Sequence, residues 1–97
     1  MSYSTGKIYK IVSKQTDKIY IGSTRQTLKE RFKVHKAHYK VYIETNKIKC
    51  TSIELFKYGD CEIVLIELFP CLSKLGLERR EGEIQLENIN IIVNRCI

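Results

Sequence analysis

The chain has 97 residues, 43% of them hydrophobic, and a formal net charge of +6. That length leaves room for one small domain, residues 1–97, whose thin core hides only roughly 60% of the unfolded surface. The apolar share excludes a disordered chain, and no apolar run approaches transmembrane length, so an intracellular, soluble protein with no membrane partner is expected.

Met1 to Thr5 is a short polar leader. Lys7 to Gly22 then holds two β-like runs that share an Ile-Tyr pair, Ile8-Tyr9 and Ile19-Tyr20, separated by the polar stretch Ser13 to Asp17. β-Branched and aromatic residues around a short polar gap predict a hairpin, which brings two phenols together on neighbouring strands. Thr27 followed by Glu30 reads as a capping box that starts a helix running to about Glu44. On that helix Leu28, Phe32, Tyr39 and Ile43 form one narrow apolar stripe, expected to face the sheet. Lys29, Lys33, Lys36 and Lys40 line one flank, as a solvated face or as phosphate contacts. Arg31, His35, His38 and Tyr42 line the other. Arg31 and His35 border the core there, where a guanidinium and an imidazole need partners, but from this helix alone an ordinary helix-surface pair is the better reading.

Thr51 or Ser52 is placed to cap a short helix through Lys57, ended by Gly59. Cys61 to Phe69 reads as a third strand. Its near-continuous apolar run predicts a central or well-covered position, and Pro70 stops it. Ser73 caps a last helix to about Asn88, with Leu77, Glu81, Ile84 and Asn88 along one stripe. A carboxylate on an apolar stripe must bind a cation, reach out to water, or pair with Arg80 or Arg31. The apolar tail from Ile91 to Ile97 is expected to pack back on the sheet as a short strand.

Charge is uneven along the chain. Residues 1–50 carry 12 Lys and Arg against 3 Asp and Glu, and residues 51–97 carry 5 against 8. The first half therefore builds a basic face, which suits a nucleic-acid backbone or a plain basic surface. Cys50, Cys61, Cys71 and Cys96 have no C-x-x-C spacing, and no secretion signal precedes them, so free thiols are expected in place of disulfides or a zinc site.

Tyr9, Tyr20, Arg31, His35, Glu81 and Asn94 are the residues left to explain. There is no triad-like nucleophile and no Gly-rich phosphate loop. Phosphodiester hydrolysis fits what remains. It needs a carboxylate for a metal ion, an arginine for charge developing at phosphorus, and a base for water.

In this set the chain resembles the GIY-YIG endonucleases. Gly6-Lys7-Ile8-Tyr9 stands at the family's first motif in its looser G-x-I-Y form, with Lys7 where the name-giving motif has glycine, and Tyr20-Ile21-Gly22 matches the second. Gly22-Ser23-Thr24, then Arg31 and His35, then Leu77-Glu78-Arg79-Arg80-Glu81, and finally Val93-Asn94 follow in family order. The resemblance implies an α/β (α+β) fold, a small three-stranded antiparallel sheet flanked by helices. The segment order read above fits it.

The resemblance also implies metal-dependent cleavage of DNA. Tyr9 would be the general base or position the attacking water. A free phenol has a pKa of about 10, and Lys18, Arg31 and the metal are the cations that would lower it. Tyr20 would hold the water or the scissile phosphate. Arg31 would stabilise the pentavalent transition state, and His35 would bond to Tyr9 or the phosphate. Glu81 would be the sole protein ligand of one Mg²⁺ (or Mn²⁺), and Asn94 would orient the phosphate or brace the site. Lys18, Arg25, Lys29 and Lys33 are the expected DNA-contacting cations. One site cuts one strand, so duplex cleavage calls for a homodimer, a second encounter or a nick-only role, and targeting falls to DNA structure or an accessory DNA-binding protein. Two other readings stand beside this one: a non-catalytic nucleic-acid-binding domain of the same fold, and a module whose basic face meets an acidic protein.

Overall fold

The computed structural model describes residues 5–45, 53–56, 58–70 and 73–93, leaving aside the side chains of residues 53 and 54. Strand β1 (Lys7–Ser13) and strand β2 (Thr16–Thr24) pair antiparallel about a turn at Lys14 and Gln15, as the polar gap predicts. The register sets Tyr9 opposite Gly22 and Ile11 opposite Tyr20. Asp60 fastens the turn by accepting from Ser13 Oγ and from Lys14 N.

Strand β3 (Glu62–Leu68) pairs antiparallel with the other side of β1, so the sheet order is β2-β1-β3. This corrects the expectation that β3 is central or well covered. It is an edge strand, and Val64, Leu65 and Leu68 are 37%, 42% and 65% exposed. Centrality belongs to β1, whose Ile8, Tyr9 and Ile11 have no exposed surface.

Side chains of β1 alternate between two cores. Ile8 joins Ile21, Leu77 and Ile84, under helix α3 (Lys74–Glu87). Tyr9 and Ile11 join Leu55 and Phe56 on the opposite face, with Leu28, Phe32 and Tyr39 packed against them from helix α1 (Leu28–Thr45). Leu55 and Phe56 belong to the short helix α2 (Ile53–Phe56). The α1 stripe stops short of its predicted length: Ile43 is 64% exposed, so the last turn runs past the core.

The caps read from sequence form. Thr27 Oγ1 accepts from Glu30 N at 3.1 Å while Glu30 Oε1 accepts from Thr27 N at 3.3 Å. Ser73 caps α3 by accepting from Gly76 N. Beyond α3 the chain returns to the outer edge of β2. Ile92 bridges Ile19 in parallel, with Ile19 N donating to Ile91 O and Val93 N to Ile19 O, both at 2.8 Å. Cys61 is a free thiol donating to Leu55 O, and burial pushes its pKa up to about 11. Cys50, Cys71, Cys96, the cap at Thr51 or Ser52, and Lys57 lie outside the described residues. Among the described residues no helix is long and apolar enough to cross a membrane.

Candidate active site

Strand alternation puts Tyr9, Tyr20 and Gly22 on the face covered by α1. The Tyr9 ring lies across Gly22. A Cβ built on that glycine would sit 2.5 Å from Tyr9 Oη, 2.6 Å from its Cζ and 3.1 Å from Tyr20 Cε1. Only a residue without a side chain lets the phenol settle this close to the β2 backbone. The two tyrosine rings stand 6.4 Å apart.

Helix α1 brings Arg31 and His35, one turn apart, onto that phenol. Arg31 Nε donates to Tyr9 Oη at 3.1 Å, and Tyr9 Oη is 2.7 Å from His35 Nε2. His35 is the buried residue of α1, with no exposed surface. Its ring meets Tyr20 edge-on at 5.1 Å and stacks with Phe56 at 6.5 Å. Burial, then the nearby Arg31 and His38, push the imidazole pKa down to about 3. His35 is therefore neutral near pH 7. A guanidinium can only donate, so Tyr9 Oη accepts from Arg31, and in the tautomer with hydrogen on Nδ1 the phenol donates its own hydrogen to Nε2. The helix alone favours an ordinary surface pair for Arg31 and His35; the structure corrects this, since both reach the buried Tyr9 hydroxyl.

Glu81 approaches from α3, on the other face of the sheet. Its Oε1 accepts from the Ser23 hydroxyl and its Oε2 from Gln85 Nε2 at 3.0 Å. Burial raises its pKa, as does Glu78, while Ser23, Gln85 and Arg31 pull it down. Arg80 is not its partner. That guanidinium grips Glu67 through two N–H groups at 2.8 and 2.9 Å and also reaches Glu83. Gln85, 3% exposed, is a site neighbour that sequence reasoning missed. Its i+4 spacing from Glu81 was the available signal.

The expected DNA-contacting cations are dispersed. Lys29 and Lys33 are exposed on α1. Arg25 lines a cleft of about 270 Å³ with Ser23, Thr24, Lys74, Leu77 and Glu78, beside the Ser23–Glu81 contact. Lys18 Nζ donates to Asn90 O at 3.0 Å, which leaves Arg31 as the cation on the Tyr9 phenol. Asn94 lies outside the described residues.

Compared with known families, residues 5–90 match the GIY-YIG catalytic domain. The chain belongs to the GIY-YIG family. Neither a curated protein nor a solved structure matches it. GIY-YIG proteins are nucleases and generally depend on a divalent metal. The three-stranded antiparallel sheet with its helices is the fold expected of the family. The pairing of Tyr9 with Gly22 gives the two GIY-YIG motifs a physical reason to occur together: the glycine of the second makes room for the tyrosine of the first. The departure at Lys7 is accommodated, since its Nζ turns aside to Thr5 O at 2.9 Å and Gln26 O at 2.7 Å, tying β1 to the loop before α1. The donor set suits one hard cation. Among the described residues no three His, Cys, Asp or Glu gather, and Glu81 offers one half-buried carboxylate with no ion-paired partner. Mg²⁺ keeps most of its waters and takes one or two carboxylates plus phosphate oxygens, so such a site fits it.

Proposed function

We propose that the protein is an endonuclease that hydrolyses DNA phosphodiester bonds, nicking one strand per site with one Mg²⁺ or Mn²⁺. The observation that carries this reading is the hydrogen-bonded chain Arg31–Tyr9–His35. Tyr9 Oη stands between a permanent cation and a neutral imidazole. As a water gives its proton to Oη, the phenol proton passes to His35 Nε2, the hydroxide so formed attacks phosphorus, and the bond from phosphorus to the 3′ oxygen breaks, that oxygen leaving with a proton taken from a second water. Burial and Arg31 hold His35 weakly basic in the free chain. A bound phosphate neutralises Arg31, removing one of those causes and letting Nε2 accept.

Tyr9 has no exposed surface, and Arg31 is bonded to its hydroxyl. A phosphate that draws the guanidinium to itself therefore opens the phenol to water. The guanidinium then meets the charge that builds on the phosphoryl oxygens. Tyr20, half-buried against the Tyr9 and His35 rings, holds the water or the scissile phosphate. Glu81 would hold the cation, which when bound polarises the phosphate. Asn94 would brace the phosphate, and Lys18, Arg25, Lys29 and Lys33 would contact the DNA backbone.

Tyr9→Phe and Glu81→Ala, assayed with Mg²⁺ on a panel of DNA structures with nicks resolved from double-strand breaks, are each expected to lose about 10²-fold or more in rate. Undiminished cleavage by both variants overturns the reading. The full burial of Tyr9 favours one second reading, a non-catalytic nucleic-acid-binding domain. It predicts DNA binding without metal and no cleavage of any substrate in the panel.

A further inference from the structure

The polar backbone groups on the outer edge of β2 are those of alternate residues. Ile19 is one of these, bonded to the returning chain at Ile91 and Val93. Two residues on, the carbonyl of Ile21 accepts from a side chain instead, Gln85 Nε2, at 3.2 Å. The same nitrogen donates to Glu81 Oε2 at 3.0 Å. An amide nitrogen has two hydrogens, and this one commits both. Gln85 is 3% exposed, so no water competes for them. Ser23, two residues beyond Ile21, holds the other Glu81 oxygen through its hydroxyl. Glu81 is thus pinned to β2 at two points, once directly and once through the glutamine.

We propose that Gln85 is a positioning residue that fixes the Glu81 carboxylate against β2 and so presets it for a divalent cation. The proposal rests on reading Glu81 as the cation's ligand. A glutamate on a helix turns freely about its side-chain bonds. With one hydrogen bond on each oxygen, the carboxylate plane is set, and each oxygen keeps a lone pair for the ion. Partners behind a metal ligand act in this way, orienting it before the ion arrives. The job demands a glutamine. Asparagine is a methylene too short to span from α3 to both acceptors, glutamate has no hydrogen to give, and methionine keeps the volume without the donors. Gln85 itself is directed to strand backbone and carboxylate.

Mn²⁺ binding to wild type, Glu81→Ala and Gln85→Met, measured by electron paramagnetic resonance with melting temperatures recorded alongside, tests the proposal. Gln85→Met is expected to stay folded and to bind Mn²⁺ about 10-fold more weakly than wild type. If Gln85→Met binds like wild type, the inference fails alone. If wild type binds no better than Glu81→Ala, the functional reading fails and takes the inference with it. A second measurement needs no variant. In a Mg²⁺ titration of wild type followed by nitrogen-15 NMR, the Gln85 side-chain amide signals are expected to shift together with the loading of Glu81. Amide signals that stay still while Glu81 loads overturn the proposal, whether or not Gln85→Met folds.

Discussion

Gly22 is the position at which one added methyl group does most damage. That methyl would meet the Oη and Cζ of a rigid ring already packed among Ile11, Leu55 and Phe56. Gly22→Ala is expected to destabilise the fold by about 1–3 kcal/mol, the usual range for overpacking, and to break the Tyr9–His35 hydrogen bond. Adding Tyr9→Leu should recover part of the stability and none of the cleavage, and urea unfolding of both singles and the double measures the coupling. His35 carries a pH dependence. Its pKa is 6.5 in an exposed setting and about 3 here. Between those values the unfolded chain binds a proton at this position and the folded chain does not. Stability therefore falls as pH drops from 6.5 toward 3, by up to about 1.4 kcal/mol per pH unit, and the loss levels off below. Thermal melts from pH 7 to pH 4 should show a shallower decline for His35→Gln than for wild type; equal slopes would contradict the burial argument.

At the level of elements, the start of α1 decides where Arg31 and His35 fall. Thr27→Ala removes the acceptor for Glu30 N and is expected to cost about 1 kcal/mol. That reads as a drop in melting temperature of roughly 4–8 °C for a domain this small. Cleavage should suffer less than with Arg31→Ala, because the helix persists with a frayed first turn. This cap was legible in the sequence since its partners are three residues apart. Ser73 was legible for the same reason. The place of β3 was not. A run of apolar residues signals apolar surroundings somewhere, without saying which strand has neighbours on both sides, and the lysines of β1 hid the central strand. Nor did the pattern on α3 reveal that Arg80 turns to Glu67, since that choice is made between a helix and a strand edge. Ile43 was misplaced because where a helix leaves its sheet depends on the sheet's width.

For the whole molecule, a charge of +6 means that the proposed DNA binding is expected to depend on salt. Reversing Lys29 and Lys33 to Glu is expected to weaken binding alike across sequences and to flatten the dependence measured between about 50 and 200 mM salt, while an unchanged slope would remove the α1 lysines from the interface. Much of the site could be read before the fold was known because Tyr9, Tyr20, Arg31 and His35 come from a hairpin and the helix right after it. What stayed hidden joins distant parts of the chain: the burial of Tyr9, and the bond from Gln85 to Ile21 across 64 positions. That same division of the site has a consequence for how the protein is made. The phenol–imidazole cluster is complete by residue 35, whereas Glu81 lies 58 positions beyond Ser23. Chains leave the ribosome N-terminus first, at about 5–20 residues per second. The carboxylate therefore reaches Ser23 only after the rest of the sheet has been synthesised. A chain cut short before α3 carries the tyrosines without Glu81, so on the proposed function an unfinished copy should not cleave DNA.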